Sequence, residues 1–112
     1  MKSNAAVRCL TALAHETRLG IFRLLVRHAP EGQCAGDISQ TLKLAPATAS
    51  FHLKELAGAG LISARPEGRH IYYAPDFQAM RTLTDYLLEN CCQGRACAPS
   101  CAAPTPVAGV RS

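Results

Sequence analysis

The chain has 112 residues, of which 48% are hydrophobic and 18% charged, and its net charge is +4. This length allows one domain with a single core, and the mild basic excess suits a partner such as DNA without establishing one. No apolar run approaches the length of a membrane span, and the N-terminus lacks the apolar region of a signal peptide. We therefore expect a cytoplasmic protein that does not bind membranes.

The six cysteines are unevenly distributed. In a reducing compartment they are expected to be thiols or metal ligands rather than a disulfide framework. Cys9 and Cys34 stand alone, whereas the other four crowd into a short C-terminal stretch: Cys91, Cys92, Cys97 and Cys101.

The N-terminal third predicts two helices. Apolar residues recur at helical spacing over residues 5–14, and His15-Glu16-Thr17 interrupts them. Residues 18–27 are apolar over so wide an arc that a helix there belongs at the centre of the core. Pro30-Glu31-Gly32 ends this second helix.

Residues 37–61 predict two helices joined by a tight turn. A short helix over 37–42 is followed by the connection 43–45 and by a helix that begins at Pro46 and ends near Gly58 and Gly60. A three-residue turn between two such helices is typical of a helix-turn-helix DNA reader. A helical hairpin with a solvated outer face is the alternative.

The second of these helices has two predicted faces. Ala49, Leu53 and Leu56 are expected to face the core, with Phe51 beside them. Polar residues are expected to project the other way: Thr48, Ser50, His52 and Lys54.

A two-stranded hairpin is predicted after Gly60. Residues 61–65 and 69–73 are rich in β-branched and aromatic residues, and they flank a type I turn at 65–68. This places basic residues at the tip of the hairpin: Arg65, Arg69 and His70. A basic hairpin directly after a recognition helix indicates the winged form of the helix-turn-helix, although a plain capping hairpin has the same pattern.

A last helix is predicted over residues 76–90. Met80, Leu83 and Leu87 form an apolar stripe that Cys91 would extend. The first and last helices are not required for the DNA-reading unit, so we expect their apolar stripes to form a two-fold dimer. Such a dimer presents two recognition helices roughly 34 Å apart, one turn of DNA.

The predicted fold is mainly α with a β-hairpin, a winged helix-turn-helix in the order α-α-α-α-β-β-α. Residues 1–92 are assigned to a DNA-binding and dimerisation domain. Residues 93–112 are assigned to a cysteine-bearing tail that is expected to be largely flexible.

Three stretches resemble the ArsR (arsenical-resistance repressor) family of metal-sensing transcriptional repressors. They are LTALAHETRLGIFRLL at 10–25, APATASFHLKELAGAGLI at 45–62 and RPEGRHIYY at 65–73. The resemblance covers about residues 5–92. It implies a homodimer that binds operator DNA and releases it when a ligand binds.

The resemblance also has two departures. The best-known arsenic site of the family reads Cys-Val-Cys-Asp, whereas this chain reads Cys34-Ala35-Gly36-Asp37 and lacks the second thiol. Cys34 is therefore expected to be a small buried residue. Ala45 precedes the recognition helix where family members often have Ser, and the missing cap costs about 1 kcal/mol.

The expected DNA contacts are divided by chemistry. Hydroxyl and imidazole side chains suit base edges in the groove that the recognition helix enters, whereas Lys and Arg suit phosphates or the minor groove. We assign Thr48, Ser50 and His52 to the groove and Lys54, Arg65 and Arg69 to phosphate or minor groove. The alternative for His52 is a plain helix-surface residue.

The C-terminal cysteines are the candidate sensing site. Soft thiolates select soft ions, and As(III) or Sb(III) forms three bonds, so three sulfurs would complete the shell. We assign Cys91, Cys92 and Cys97 as ligands, with Cys101 as a substitute. An Asn-Cys-Cys sequence that ends a dimer helix resembles family members that sense arsenic, which favours As(III) or Sb(III) as inducer.

Alternatives remain open at this stage. A repressor of the same fold could respond to Zn, Cd or Pb, or to thiol oxidation. A more remote possibility is a thiol metal chaperone. No Gly-rich phosphate loop, paired acids or Cys–His dyad is visible, so the chain is not predicted to be an enzyme.

Overall fold

The computed structural model describes residues 1–91 as five helices and three strands. In chain order these are α1 (Ser3–Leu13), α2 (Glu16–Arg27), β1 (Gln33–Cys34), α3 (Ala35–Leu42), α4 (Pro46–Gly58), β2 (Ile62–Glu67), β3 (His70–Pro75) and α5 (Phe77–Leu87). The winged helix-turn-helix prediction is confirmed. Within residues 1–91, no helix is both long and apolar enough to cross a membrane.

Helix α2 lies at the centre of the core, as its wide apolar arc predicts. It buries Ile21, Phe22, Leu24 and Leu25. Around it pack side chains from every other helix and from the start of β2: Ala6, Cys9, Ala12, Ile38, Leu53, Leu56, Leu61, Ile62 and Leu83. One core therefore fixes the helix-turn-helix, the hairpin and α5 relative to one another.

The turn between α3 and α4 lies where it was predicted, at residues 43–45. Lys43 ends α3 in the left-handed conformation, with φ of 56°. The backbone N–H of Leu44 then donates to the Ser39 carbonyl at 2.9 Å, and the Ser39 hydroxyl donates to the Leu44 carbonyl at 2.5 Å. The first bond satisfies a carbonyl in the last turn of α3, and the second ties the connection back to the helix, so that together they fix the angle at which α4 leaves.

The hairpin turn lies two residues later than predicted. β2 continues through Pro66 to Glu67, which pairs with His70, so the loop consists of Gly68 and Arg69. Gly68 has φ of +65°, as two-residue hairpin loops require of their first residue. Twist matching between the strands therefore overrides the type I turn chemistry of Pro66.

The sequence did not predict β1. Gln33 and Cys34 pair antiparallel with Tyr73 and Tyr72, so the sheet has three strands in the order β1-β3-β2. Gly32 makes this pairing possible, because a Cβ atom there would lie 2.1 Å from the Tyr73 carbonyl oxygen. A two-residue strand carries too little pattern to be recognised in a sequence.

Helix α5 ends earlier than predicted, at Leu87 rather than near residue 90. Asp76 caps its start by accepting from the Ala79 N–H at 3.0 Å. A turn follows the helix, and Asn90 has φ of 62°. Cys91 thus lies beyond α5 and does not extend its stripe, while residues 92–112, with the predicted domain boundary, lie outside the described residues.

Candidate nucleic-acid interface

Helix α4 presents one buried face and one exposed face. Ala49, His52, Leu53 and Leu56 are buried. This spacing of three, four and seven residues is that of one helical face. The other side chains of the helix are exposed, including Thr48, Ser50, Phe51 and Lys54.

Two residues of α4 are placed opposite to the sequence prediction. His52 is only 6% exposed, so its placement on the outward face is wrong. Phe51 is 54% exposed, so its placement beside the core is also wrong. Helical spacing indicates the correct face, because position 52 lies three residues after Ala49 and four before Leu56. The polarity of histidine and the apolar character of phenylalanine indicate the opposite faces.

The buried imidazole of His52 is held by Arg18 from α2. One guanidinium nitrogen of Arg18 lies 3.2 Å from His52 Nδ1. Arginine can only donate, so Nδ1 accepts and carries no proton. The Nε atom of Arg18 donates to the Ala12 carbonyl at 2.7 Å. Arg18 therefore connects the end of α1, the start of α2 and the middle of α4, an arrangement that we call the Arg18 clamp.

The surroundings of the Arg18 clamp favour neutral His52. Burial lowers the pKa of His52, and the nearby His15 and Arg18 lower this pKa further, while Glu55 partly opposes the shift. The His15 and His52 rings lie 4.8 Å apart between centroids. Protonation of His52 would place a second positive charge beside the Arg18 guanidinium and remove the acceptor that Arg18 uses.

Helix α1 also holds the C-terminal end of α4. Arg8 donates to the Gly58 carbonyl at 2.6 Å, and the thiol of buried Cys9 donates to the Ala59 carbonyl at 3.4 Å. Carbonyls in the last turn of a helix lack partners within the helix, so these donors satisfy them. The first helix was expected not to be required for the DNA-reading unit, but the polar contacts of α1 position α4.

The start of α4 is uncapped, as predicted. Ala45 makes no side-chain cap bond, and Pro46 occupies the first turn. Backbone N–H groups near Ala47 and Thr48 consequently face outward without a capping oxygen, and such groups are well suited to donate to a phosphate.

The hairpin contributes charge beside α4, with one correction. Arg65 pairs with Tyr72 and so lies away from the loop rather than at the tip. It donates to Glu67 Oε2 and to the Glu31 carbonyl, each at 3.2 Å, and its guanidinium lies 5.6 Å from the Tyr72 ring centroid. Arg69 and His70 do lie at the tip, and both are exposed.

The cysteines in residues 1–91 have different environments. Cys9 is buried in the core, whereas Cys34 is half-buried at the start of α3, which corrects its predicted burial. Cys91 is exposed after α5. Residues 1–91 contain no group of three or more His, Cys, Asp or Glu side chains that could hold a metal ion. Cys92, Cys97 and Cys101 lie outside the described residues.

Helices α1 and α5 leave large apolar side chains exposed. On α1, Val7 is 56% and Leu10 is 42% exposed. At the two ends of α5, Phe77 and Leu87 are each 53% exposed, and Leu88, just after the helix, is 67% exposed. Since α1 and α5 also contact each other, these side chains belong to neighbouring elements.

Comparisons with known proteins agree with this geometry. A family profile described as "Helix-turn-helix domain" matches residues 13–64. The uncharacterised HTH-type transcriptional regulator YbzH of Bacillus subtilis is 37% identical over 93 residues, which cover 72% of this chain and 93% of that protein. The putative arsenical resistance operon repressor ArsR2 of Halobacterium salinarum is 32% identical over 75% of this chain and 66% of its own length.

A solved structure shares the fold. The homodimeric winged helix-turn-helix DNA-binding domain of Mb0332 from Mycobacterium bovis, described as a possible ArsR-family regulator, superposes with a TM-score of 0.64. Its sequence is 28% identical, over 76% of this chain and 83% of that domain. The chain therefore belongs to the ArsR family of winged helix-turn-helix transcriptional regulators, and it is a regulator of transcription rather than an enzyme, as predicted.

Proposed function

We propose that the chain is a homodimeric repressor that binds operator DNA and is released by As(III) or Sb(III). The observation that carries DNA binding is the outward face of α4. This face is exposed, bears hydroxyls and the Lys54 ammonium, and is fixed from behind by the core and the Arg18 clamp. A rigidly held helix with a polar outer face is what insertion into the major groove requires.

The proposed contacts follow from position on this surface. Thr48 and Ser50 are exposed near the start of α4 and supply hydroxyls to base edges or phosphates. Lys54, on the same helix, and Arg69, at the hairpin loop, supply positive charge to the DNA backbone. Arg65 adds charge in the middle of the hairpin, because its carboxylate partner is exposed and holds it weakly.

Homodimerisation is supported by the exposed apolar side chains of α1 and α5. Burying such side chains against a second copy removes them from water, which is worth about 25 cal/mol per Å². The homodimeric state of the Mb0332 domain supports a homodimer here as well. Two copies would present two α4 helices to one duplex.

The inducer part of the proposal rests on donor chemistry and on the resemblance to the arsenical resistance repressor of Halobacterium salinarum. Cys91 is exposed directly after α5, the helix assigned to the dimer. Its thiolate, with those of Cys92 and Cys97 and with Cys101 as substitute, would supply the three sulfurs that As(III) takes. Ligand binding there would bias the dimer toward a form that fits DNA less well, and such couplings are about 1–3 kcal/mol.

One titration tests both parts. Fluorescence anisotropy of the reduced chain with a duplex from its own upstream region should show tight, salt-dependent binding. Arsenite or antimonite should then release the duplex. Release by zinc or cadmium instead would overturn the metalloid assignment, and release by oxidation that dithiothreitol reverses would favour a redox sensor.

Matched cysteine variants place the sensor. Cys91→Ser should bind DNA as the wild type does but resist release by arsenite. Cys34→Ser is the control, because Cys34 is half-buried at the start of α3, and it should respond normally. If Cys34→Ser is the variant that stops responding, the sensing site has been placed wrongly.

A further inference from the structure

Phe51 occupies the middle of the outward face of α4. With about 100° between successive residues, it projects roughly opposite to the buried stripe of Ala49, Leu53 and Leu56. Ala47, Lys54 and Glu55 lie within about 60° of it around the helix axis. Thr48 and Ser50 flank this line on either side, so a surface that approaches α4 from outside meets Phe51 at its centre.

The aromatic ring of Phe51 packs only partly against the rest of the chain. It is 54% exposed, and it contacts His52 edge-on with ring centroids 5.3 Å apart. About half of this large apolar side chain stays in water and contributes no burial energy to the fold. Its position is therefore better explained by what α4 binds than by folding.

We propose that Phe51 reads thymine, by packing its ring against 5-methyl groups in the major groove. The methyl group of thymine is the apolar feature of the major-groove edge, and Phe is among the side chains that contact it. Small Ala47 beside Phe51 leaves room for α4 to approach the bases closely. This inference rests on the proposed DNA binding and names the base that the recognition helix prefers.

The neighbours of Phe51 favour DNA over a protein partner. The hydroxyls of Thr48 and Ser50 and the ammonium of Lys54 lie around this line of the helix and match base edges and phosphates. The exposed carboxylate of Glu55 also lies beside the ring, and a carboxylate can accept from a cytosine amino group. The chain carries a net charge of +4, which complements a polyanion. An apolar protein-docking surface would instead need further exposed apolar side chains around Phe51 on α4, and the residues there are small or polar.

The test removes only the methyl group. A preferred duplex is first selected from a random-sequence library with the full wild-type chain, and each thymine is then replaced singly by deoxyuridine. At one or more positions the wild type should bind about three- to fivefold more weakly, the effect of one buried methyl group. Phe51→Ala should bind the thymine and deoxyuridine duplexes equally at those positions, and Phe51→Leu should keep part of the difference.

Val26→Ala is the matched control, because Val26 is an exposed apolar residue outside the helix-turn-helix. It should keep the full thymine preference. The inference is overturned if the wild type selects a sequence yet binds thymine and deoxyuridine duplexes equally at every position, or if Phe51→Ala keeps the wild-type ratio. If the wild type selects no sequence, the proposed DNA binding itself fails, and the inference fails with it.

Discussion

Helices α4 and α5 are of similar length but differ in how much of their surface the rest of the chain covers. α4 buries four residues and receives donors from α1 and α2 along its length and at its end. α5 fully buries only Leu83 and leaves Phe77 and Leu87 about half exposed. The helix proposed to read DNA is thus fixed within one chain, whereas the helix proposed to form the dimer keeps large apolar side chains exposed.

The largest expected effect is on the core side of α4. Leu56 is fully buried, so Leu56→Ala removes apolar contacts and leaves a cavity. We expect the free energy of unfolding to fall by about 2–5 kcal/mol, to the same extent at every protein concentration. Urea denaturation followed by circular dichroism measures this. A loss below about 1 kcal/mol would mean that α4 is not integral to the core.

Leu87→Asp tests the opposite property of α5. A carboxylate in an apolar dimer interface weakens association by about 2–3 kcal/mol, roughly a hundredfold in dissociation constant. Sedimentation velocity should show a monomer, and circular dichroism should show an unchanged helix content. Leu19→Asp, on a similarly exposed leucine of α2, is the control and should remain dimeric. The reverse pattern would place the dimer surface elsewhere.

Arg18→Met removes the guanidinium that holds α4 but keeps the length of the side chain. The Ala12 carbonyl and His52 Nδ1 lose their donors, which should reduce the free energy of unfolding by about 1–3 kcal/mol. DNA affinity should fall as well, because α4 is less firmly positioned. Arg23→Met, on an exposed residue of the same helix, should change neither the free energy of unfolding nor the DNA affinity. If the two variants behave alike, the Arg18 clamp does not position α4.

The smallest expected effect is a pH dependence from the same contact. The pKa of His52 is lowered in the folded state, so the unfolded chain binds a proton more readily. The stability contributed by neutral His52 is present above the ordinary histidine pKa, about 6.5, and is lost as pH falls below it. The slope is at most about 1.4 kcal/mol per pH unit.

His52→Asn should flatten this dependence, because the Asn amide oxygen can accept from Arg18 and does not titrate. Urea unfolding midpoints at several pH values on either side of the ordinary histidine pKa measure the effect. An unchanged slope in His52→Asn would assign the pH dependence to another group.

Sequence reasoning succeeded where periodicity and chain order carry the information. The order of helices and hairpin, the turn at 43–45 and the core role of α2 all follow from apolar spacing. It failed where contacts between distant residues decide. Only the packed fold brings Arg18 to His52, 34 positions later in the chain.

Contacts between distant residues also explain the errors at β1 and at the hairpin turn. Gln33 and Cys34 form a strand only because β3 lies beside them, and Arg65 loses its place at the tip because strand pairing moves the loop to Gly68 and Arg69. In the candidate site, polarity assigned His52 and Phe51 to the wrong faces. Helical spacing alone would have placed both correctly.

Two copies of the chain are proposed to place their α4 helices in successive major grooves. Hydroxyl-radical footprinting of the selected duplex with the full wild-type chain tests this placement. Two protected segments related by two-fold symmetry are expected, with centres about one helical turn, roughly 34 Å, apart on one face of the DNA. A single protected segment, or uniform protection without symmetry, would contradict it.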